Sequence, residues 1–242
     1  MTCHAFSMAR ILLVPGFWLG AWAWDEVADE LRRHGEDVLA MTLPGLDPQD
    51  DDRLDATLER QAQAIVDAVA PGERAVLVSH SGGGAAAYLA TDLAPERFAR
   101  AIYVDSAPLP NGFVLNSELD LTAREYPLPE WRDLEGAGNS LAGLDEAALS
   151  TFRARAVSEP TAVAAAPLQL SDEPAGRRIP TTVICNTFTA EVVRKLRDEG
   201  EMPMFAELSR LDAEYVDLPT GHWPMWSKPR ELAELIHTIV QN

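Results

Sequence analysis

The sequence predicts an α/β domain in which a mostly parallel sheet carries helices on both faces. Two observations lead to this class. Short apolar runs of strand length alternate with longer stretches of helical periodicity, an order typical of parallel strands joined by crossover helices. The chain also has 242 residues, of which 47% are hydrophobic, and this is enough for one α/β domain, with or without an insertion.

The predicted elements alternate regularly as far as residue 104. Each strand is an apolar run that ends at turn residues, and each helix repeats its apolar residues every three or four positions. In the first helix, for example, Val27, Ala28 and Leu31 share one face, and Gly35 closes the helix. We predict strands at 11–14, 38–43, 76–78, 101–104, 181–185 and 213–218, and helices at 24–33, 58–69, directly after Ser81, 145–157, 190–197 and 229–240.

The alternation breaks between Pro108 and Arg178, after the fourth and before the fifth recognisable strand. This segment is rich in Pro, Gly, Leu and Ala. It is too long for a simple connection, and long insertions in compact domains are usually functional lids. We therefore expect a core formed by residues 10–107 and 179–242, a cap formed by residues 108–178 and an N-terminal tail of residues 1–9.

Composition and charge argue against several classes of partner. The formal net charge is −18, whereas nucleic acids and anionic membranes are bound by basic patches. No apolar run reaches membrane-spanning length, and the N-terminus lacks the charged-then-apolar pattern of a signal peptide. Cys3 lies in the tail and Cys185 in an apolar run, so we expect no disulfide. These features favour a cytoplasmic protein.

Ser81 lies at a strand-to-helix joint that predicts a catalytic nucleophile. The sequence Ser79-His80-Ser81-Gly82-Gly83 is a variant of the nucleophile elbow G-x-S-x-G, in which Ser79 replaces the first glycine. The sharp turn of such an elbow strains the backbone of the serine and leaves room only for small neighbours. The same residues could also form no more than a tight turn, so the prediction depends on partners elsewhere in the chain.

His222 is the candidate partner of Ser81. It lies in the loop Gly221-His222-Trp223-Pro224, between the last predicted strand and the last helix, where it could accept the proton of Ser81 and return it to a leaving group. The alternative is a structural histidine held by neighbouring tryptophans. His80 is adjacent to Ser81, but we expect its side chain to point away because neighbouring strand residues face opposite sides.

These motifs resemble those of the α/β-hydrolase superfamily. The run from Gly16 to Trp24 and the loop Gly221-His222-Trp223-Pro224 resemble the branch that contains plant methyl-salicylate-type esterases, hydroxynitrile lyases and their bacterial relatives. The resemblance covers most of the chain from Arg10 onward. It implies an α/β-hydrolase fold.

The same resemblance suggests an oxyanion hole. It implies that the backbone N–H groups of Phe17 and Gly82 would form the hole. Pro15 stands where the family usually has a histidine.

The resemblance leaves the acidic member of the triad open. The family commonly places it after the strand 181–185, where this chain reads Asn186-Thr187 and has no carboxylate before Glu191. Some superfamily members, haloalkane dehalogenases among them, place the acid after the strand that follows the nucleophile helix, and Asp105 lies there. We favour Asp105, which would hold the histidine in the required tautomer. Glu191, or a Ser–His dyad without an acid, are the alternatives.

We therefore expect a serine hydrolase that cleaves a carboxylic ester or lactone of a small to medium apolar molecule through an acyl-enzyme. No cofactor or metal is expected, and the oligomeric state stays open between a monomer and a homodimer. Trp18, Trp131, Phe152 and Trp223 are expected to line an apolar substrate pocket, although these aromatics could simply pack the cap onto the core.

Two alternatives use the same fold. One is a C–C lyase of the hydroxynitrile type, although that family has a lysine directly after the catalytic histidine and this chain has Trp223. The other is a non-catalytic protein that binds a small molecule. Pro15 and the missing acid at the usual position motivate that second alternative.

Overall fold

A parallel sheet of six strands forms the centre of the computed structural model, which describes residues 9–242. The six strands pair in the order β2-β1-β3-β4-β7-β8, and β5 pairs with β6 in a separate antiparallel ribbon. The sheet confirms the predicted α/β class. In chain order the strands are β1 (Arg10–Val14), β2 (Val38–Ala40), β3 (Ala75–His80), β4 (Phe98–Val104), β5 (Glu125–Tyr126), β6 (Glu159–Pro160), β7 (Thr181–Cys185) and β8 (Ala213–Asp217).

Helices cover both faces of this sheet. Alternate strand residues face opposite sides, so Ile11 and Leu13 pack in one apolar core with α1 and α9, while Leu12 and Val14 pack in a second core with α2 and α3. The helices are α1 (Asp25–Arg33), α2 (Leu58–Asp67), α3 (Gly83–Leu93), α4 (Trp131–Gly136), α5 (Glu146–Arg155), α6 (Thr161–Ala164), α7 (Ala190–Glu199), α8 (Pro224–Ser227) and α9 (Pro229–Gln241).

The predicted strands and helices are present, but several begin or end a few residues away from the predicted positions. Strand β2 ends at Ala40, three residues earlier than predicted, although the Met41 N–H still donates to the carbonyl oxygen of Leu13 at 3.0 Å. Helix α1 begins at Asp25, because residues 21–24 form a 3₁₀ turn. The predicted tail, with Cys3, falls outside the described residues except for Ala9.

The segment 108–178 lies between β4 and β7, where the predicted insertion was placed. It contains the β5–β6 ribbon and helices α4, α5 and α6. Parts of it belong to the cores of the domain: Leu134 and Phe152 pack with the α1–α9 side, and Val163 and Leu168 with the α2–α3 side. The segment therefore packs closely on the sheet domain, and its action as a cap stays a prediction.

The carboxyl edge of the sheet brings together the loops that matter for function. The loop after β1 contains Phe17 and Trp18, Ser81 follows β3, Asp105 follows β4, and His222 lies in the loop after β8. Ligands of open parallel sheets bind at this edge. None of the helices between residues 9 and 242 is long and apolar enough to cross a membrane.

Candidate active site

Ser81 occupies a strained turn between β3 and α3. Its φ is +49°, a left-handed conformation that non-glycine residues adopt rarely and that clusters at functional sites. Small neighbours make this turn possible, because a Cβ at Gly83 would overlap the carbonyl oxygen of Pro15 and a Cβ at Gly84 would overlap the hydroxyl of Ser106. The turn therefore presents the Ser81 hydroxyl at the edge of the sheet, beside the N-terminus of α3.

His222 contacts Ser81 and Asp105 through its two ring nitrogens. Its Nε2 lies 2.8 Å from Ser81 Oγ, and its Nδ1 lies 2.6 Å from Asp105 Oδ2. The backbone N–H of His222 donates to the carbonyl oxygen of Ser140 at 2.8 Å, and that of Gly221 donates to Ala142 at 3.2 Å. The segment between β4 and β7 thus holds the histidine loop in place.

The Asp105 carboxylate is surrounded by hydrogen-bond donors. Its Oδ1 accepts the backbone N–H groups of Asn186 (3.3 Å) and Thr187 (2.9 Å), and its Oδ2 accepts the Thr187 hydroxyl (2.6 Å) beside His222. Burial opposes ionisation, but the hydrogen bonds and the charge of His222, together with the bonds from Thr187, outweigh it and hold the pKa of Asp105 below its ordinary value. Asp105 also has a positive φ, of +44°.

The structure separates the two candidate acids. Asp105 contacts His222, whereas Glu191 is exposed in the first turn of α7 and makes no hydrogen bond or ion pair with His222. The loop after β7, where the family usually has its acid, supplies backbone N–H donors to Asp105 instead.

Phe17 and Gly82, the expected oxyanion donors, lie next to one another. A Cβ at Gly82 would come within 2.7 Å of the Phe17 ring. Within residues 9–242 neither backbone N–H donates a hydrogen bond. Gly82 is the N-cap of α3, so its amide belongs to the end of the helix that favours negative charge. Both amides are therefore free to donate to another acceptor, and their role in an oxyanion hole stays a prediction.

His80 makes a contact that the sequence analysis missed. Its Nε2 lies 2.7 Å from the carbonyl oxygen of His222, and the two rings are 4.9 Å apart. Burial, and next the nearby His222, lower the pKa of His80 to about 3. The ring is therefore neutral near pH 7, and its Nε2–H donates to His222. The sequence shows only that His80 lies on a strand next to the nucleophile. It does not reveal a contact with a residue 142 positions away.

Three of the four predicted pocket aromatics form one packed group behind the histidine loop. Phe152 is fully buried, and its ring lies 5.5 Å from Trp131 and 5.3 Å from Trp223. Trp223 also packs edge-on against the His222 ring, at 4.8 Å. Trp18 belongs to the same apolar core but pairs its ring with Phe17 and Tyr126 instead, and its indole donates to the carbonyl oxygen of Tyr126.

A cavity of about 410 Å³ opens beside Asp105 and His222. The four predicted aromatics are not among its lining residues. Its wall is mostly apolar and comes from β7, α7, the 3₁₀ segment Pro203–Arg210 and residues 136–139 of the inserted segment. Apolar residues that line it include Val183, Cys185, Phe188, Val193, Met204 and Phe205. No group of three or more metal-ligating side chains lies close together in the described part of the chain.

Comparison with known proteins agrees with this architecture. A family model described as the Alpha/beta hydrolase family matches residues 11–235. Esterase PIR7B of Oryza sativa subsp. japonica is 37% identical over 113 residues, which are 44% of this chain and 42% of that protein. The chain thus spans less than half the length of the first curated relatives it matches.

Two solved structures share the fold over nearly their whole length. An extracellular alpha/beta-hydrolase from a Paenibacillus species, described as homologous in structure and function to Tobacco Salicylic Acid Binding Protein 2, is 21% identical with a TM-score of 0.74, covering 95% of this chain and 98% of that one. A pyrethroid hydrolase from Sphingobium faniae JZ-2 is 23% identical with a TM-score of 0.67, covering 96% and 97%. Because the family model spans nearly all of the described residues and the parallel sheet matches these structures, the chain belongs to the alpha/beta hydrolase family.

Proposed function

We propose that this protein is a serine hydrolase that cleaves a carboxylic ester or lactone of a small to medium apolar molecule through an acyl-enzyme. One observation carries the proposal: a continuous hydrogen-bonded chain runs from Asp105 through His222 to Ser81, with distances of 2.6 and 2.8 Å. Nucleophile, base and orienting acid in this order are what acyl transfer requires.

The reaction would begin when Ser81 Oγ attacks the substrate carbonyl and His222 Nε2 takes the hydroxyl proton. Asp105 keeps the other proton of the ring on Nδ1 and stabilises the imidazolium that forms. The backbone N–H groups of Phe17 and Gly82 would bind the tetrahedral oxyanion, each contributing about 3 kcal/mol to lowering the barrier.

The acyl-enzyme would form and break down by two successive proton transfers through His222, the first of the Ser81 proton and the second of a proton from water. His222 gives its proton to the leaving alkoxide, which departs as the alcohol. A water molecule then attacks the acyl carbonyl while His222 takes its proton. Collapse of the second tetrahedral intermediate returns that proton to Ser81 and releases the acid.

Two further observations support an ester with an apolar part. The cavity borders His222 and Asp105 but not Ser81; it is mostly apolar and measures about 410 Å³, within the usual range for small-molecule sites. Curated relatives carry the names esterase and methylesterase. By contrast, Trp223 stands where the lyases have a lysine, and a formed triad is not needed by a protein that only binds its ligand.

The proposal is tested by measuring the hydrolysis of p-nitrophenyl esters with acyl chains of two to twelve carbons. Wild type is expected to turn over with an optimum chain length, whereas Ser81→Ala and His222→Ala lose nearly all activity. His34→Ala is the matched control, because His34 is an exposed histidine at the end of α1. The proposal fails if wild type is inert across the series, or if Ser81→Ala retains its rate.

A further inference from the structure

Glu159 is a buried carboxyl group that the mechanism above does not use. It is 0% exposed and lies in β6, within the segment inserted between β4 and β7. Burial raises its pKa to about 8, although hydrogen bonds from Gln61 and Trp18 oppose the shift. In the described part of the chain it forms no ion pair. Burying an acidic group without a cation is costly.

Its two carboxyl oxygens face two different parts of the fold. Oε1 accepts the side-chain amide of Gln61, from α2, at 3.2 Å. Oε2 accepts the backbone N–H of Trp18, from the loop after β1, at 3.4 Å. Glu159 therefore links the inserted segment to the loop that carries the proposed oxyanion donor Phe17.

Trp18 is held by the inserted segment at two more points. Its carbonyl oxygen accepts the backbone N–H of Val157 at 3.0 Å. Its indole Nε1–H donates to the carbonyl oxygen of Tyr126 at 3.0 Å. Tyr126 is the β5 partner of Glu159 in the antiparallel ribbon, so the ribbon presents both acceptors as one unit.

The backbone of Trp18 needs such support. Its φ is +65°, a left-handed conformation that a bulky residue keeps only where surrounding contacts impose it. The N–H that Glu159 accepts belongs to the peptide unit that joins Phe17 to Trp18, so the loss of this contact would free Phe17 to change its backbone conformation. An oxyanion donor works only when it is already aimed at the developing charge.

We propose that Glu159 is a positioning residue for the oxyanion hole: it accepts the Trp18 N–H and thereby keeps the Phe17 amide directed at the reacting carbonyl. This inference rests on the proposed function, because the role of Phe17 is part of that proposal. It assigns the inserted segment a part in transition-state stabilisation through the β5–β6 ribbon.

Four variants of the full chain test the proposal. Glu159→Leu removes the acceptor, and we expect kcat to fall roughly tenfold to a hundredfold, somewhat less than the loss of a whole oxyanion donor, while KM stays within about twofold. Glu159→Gln keeps an oxygen for Trp18 and should rescue kcat to within about threefold of wild type. Gln61→Leu is the matched control, because it removes the other hydrogen bond of Glu159 and leaves the Trp18 contact. If Glu159→Leu does not fold, Glu159→Asp replaces it, and its kcat must fall below that of Glu159→Gln.

Amide hydrogen exchange in residues 16–19 gives a readout that needs no substrate. Exchange there is expected to accelerate in Glu159→Leu and to stay at the wild-type rate in Gln61→Leu. The inference is overturned if folded Glu159→Leu keeps the wild-type kcat and exchange rate, or if Gln61→Leu loses as much kcat. If wild type cleaves no ester at all, the proposed function fails, and the exchange rates still decide whether Glu159 holds the loop.

Discussion

Replacing Asp105 with asparagine tests the assignment of the acid. The carboxylate accepts two backbone N–H groups at Oδ1, and the Thr187 hydroxyl and His222 Nδ1–H at Oδ2. An asparagine at this position keeps one acceptor oxygen and introduces an NH₂ group that can only donate. One side of the original arrangement must therefore lose its acceptor.

The backbone donors decide which side loses it. If the new amide oxygen stays with the N–H groups of Asn186 and Thr187, the NH₂ group faces His222 Nδ1. That arrangement favours the tautomer with the proton on Nε2, which cannot accept the proton of Ser81. The opposite orientation would place the NH₂ group against two backbone donors, so the first orientation is favoured.

The expected loss of activity is large. Asp-to-Asn replacement in a Ser-His-Asp triad lowers kcat by about 10⁴-fold, which corresponds to about 5.4 kcal/mol of transition-state stabilisation. We expect a loss of about 10³- to 10⁴-fold for Asp105→Asn, measured as kcat for p-nitrophenyl butyrate, with circular dichroism as the check of folding.

Glu191→Gln is the matched control for Asp105→Asn. It removes the other candidate carboxylate, which is exposed on α7, and it should leave kcat within about twofold of wild type. Wild-type activity in Asp105→Asn would refute the reasoning and favour a Ser–His dyad. A large loss in Glu191→Gln alone would make Glu191 the acid.

Three other substitutions have expected outcomes that follow from packing and charge. Gly83→Ala should lower the free energy of unfolding in urea by about 2 kcal/mol or more, because its Cβ would overlap the Pro15 carbonyl oxygen. Gly136→Ala is the control and should leave the free energy of unfolding unchanged, because a Cβ there meets open space. Phe152→Ala should cost about 3–5 kcal/mol in the same assay, because the ring is fully buried, and a cost below about 1 kcal/mol would contradict that packing. Glu159→Gln should change how the free energy of unfolding depends on pH. The pKa of Glu159 is about 8 in the folded protein and 4.5 as its ordinary value, so wild type should lose up to about 1.4 kcal/mol per pH unit relative to the variant as pH rises between these two values. Parallel stability profiles of wild type and variant would contradict the raised pKa.

The sequence predicted the parallel sheet and the places of Ser81 and His222 because local signals carry them. Apolar runs and helical periodicity repeat within short windows, and the elbow around Ser81 is a contiguous motif. Asp105 was reached through the resemblance to superfamily members that place the acid after this strand, together with the absence of a carboxylate at the usual position. A strand of the parallel sheet aims its last residues at the common edge, so this placement could be predicted before the contact with His222 was known.

Other features depend on contacts between distant segments and could not be predicted. An aromatic residue in the inserted segment can line a pocket or pack in a core. The composition of the segment does not show which of these roles Phe152 or Trp131 has. The role of His80 depends on the carbonyl oxygen of His222, and that of Glu159 on the backbone N–H of Trp18. Glu159 lies in a strand of two residues, which is too short to leave a periodic signal.

Covalent labelling of Ser81 tests the central claim most directly. The full-length protein is incubated with an alkyl fluorophosphonate, and its intact mass is measured before peptide mapping. An activated serine predicts one adduct, located on Ser81, no adduct in Ser81→Ala, and much slower labelling in Asp105→Asn. If wild type stays unlabelled, or if Ser81→Ala is labelled at the same rate, Ser81 is not an activated nucleophile and the assignment as a serine hydrolase is wrong.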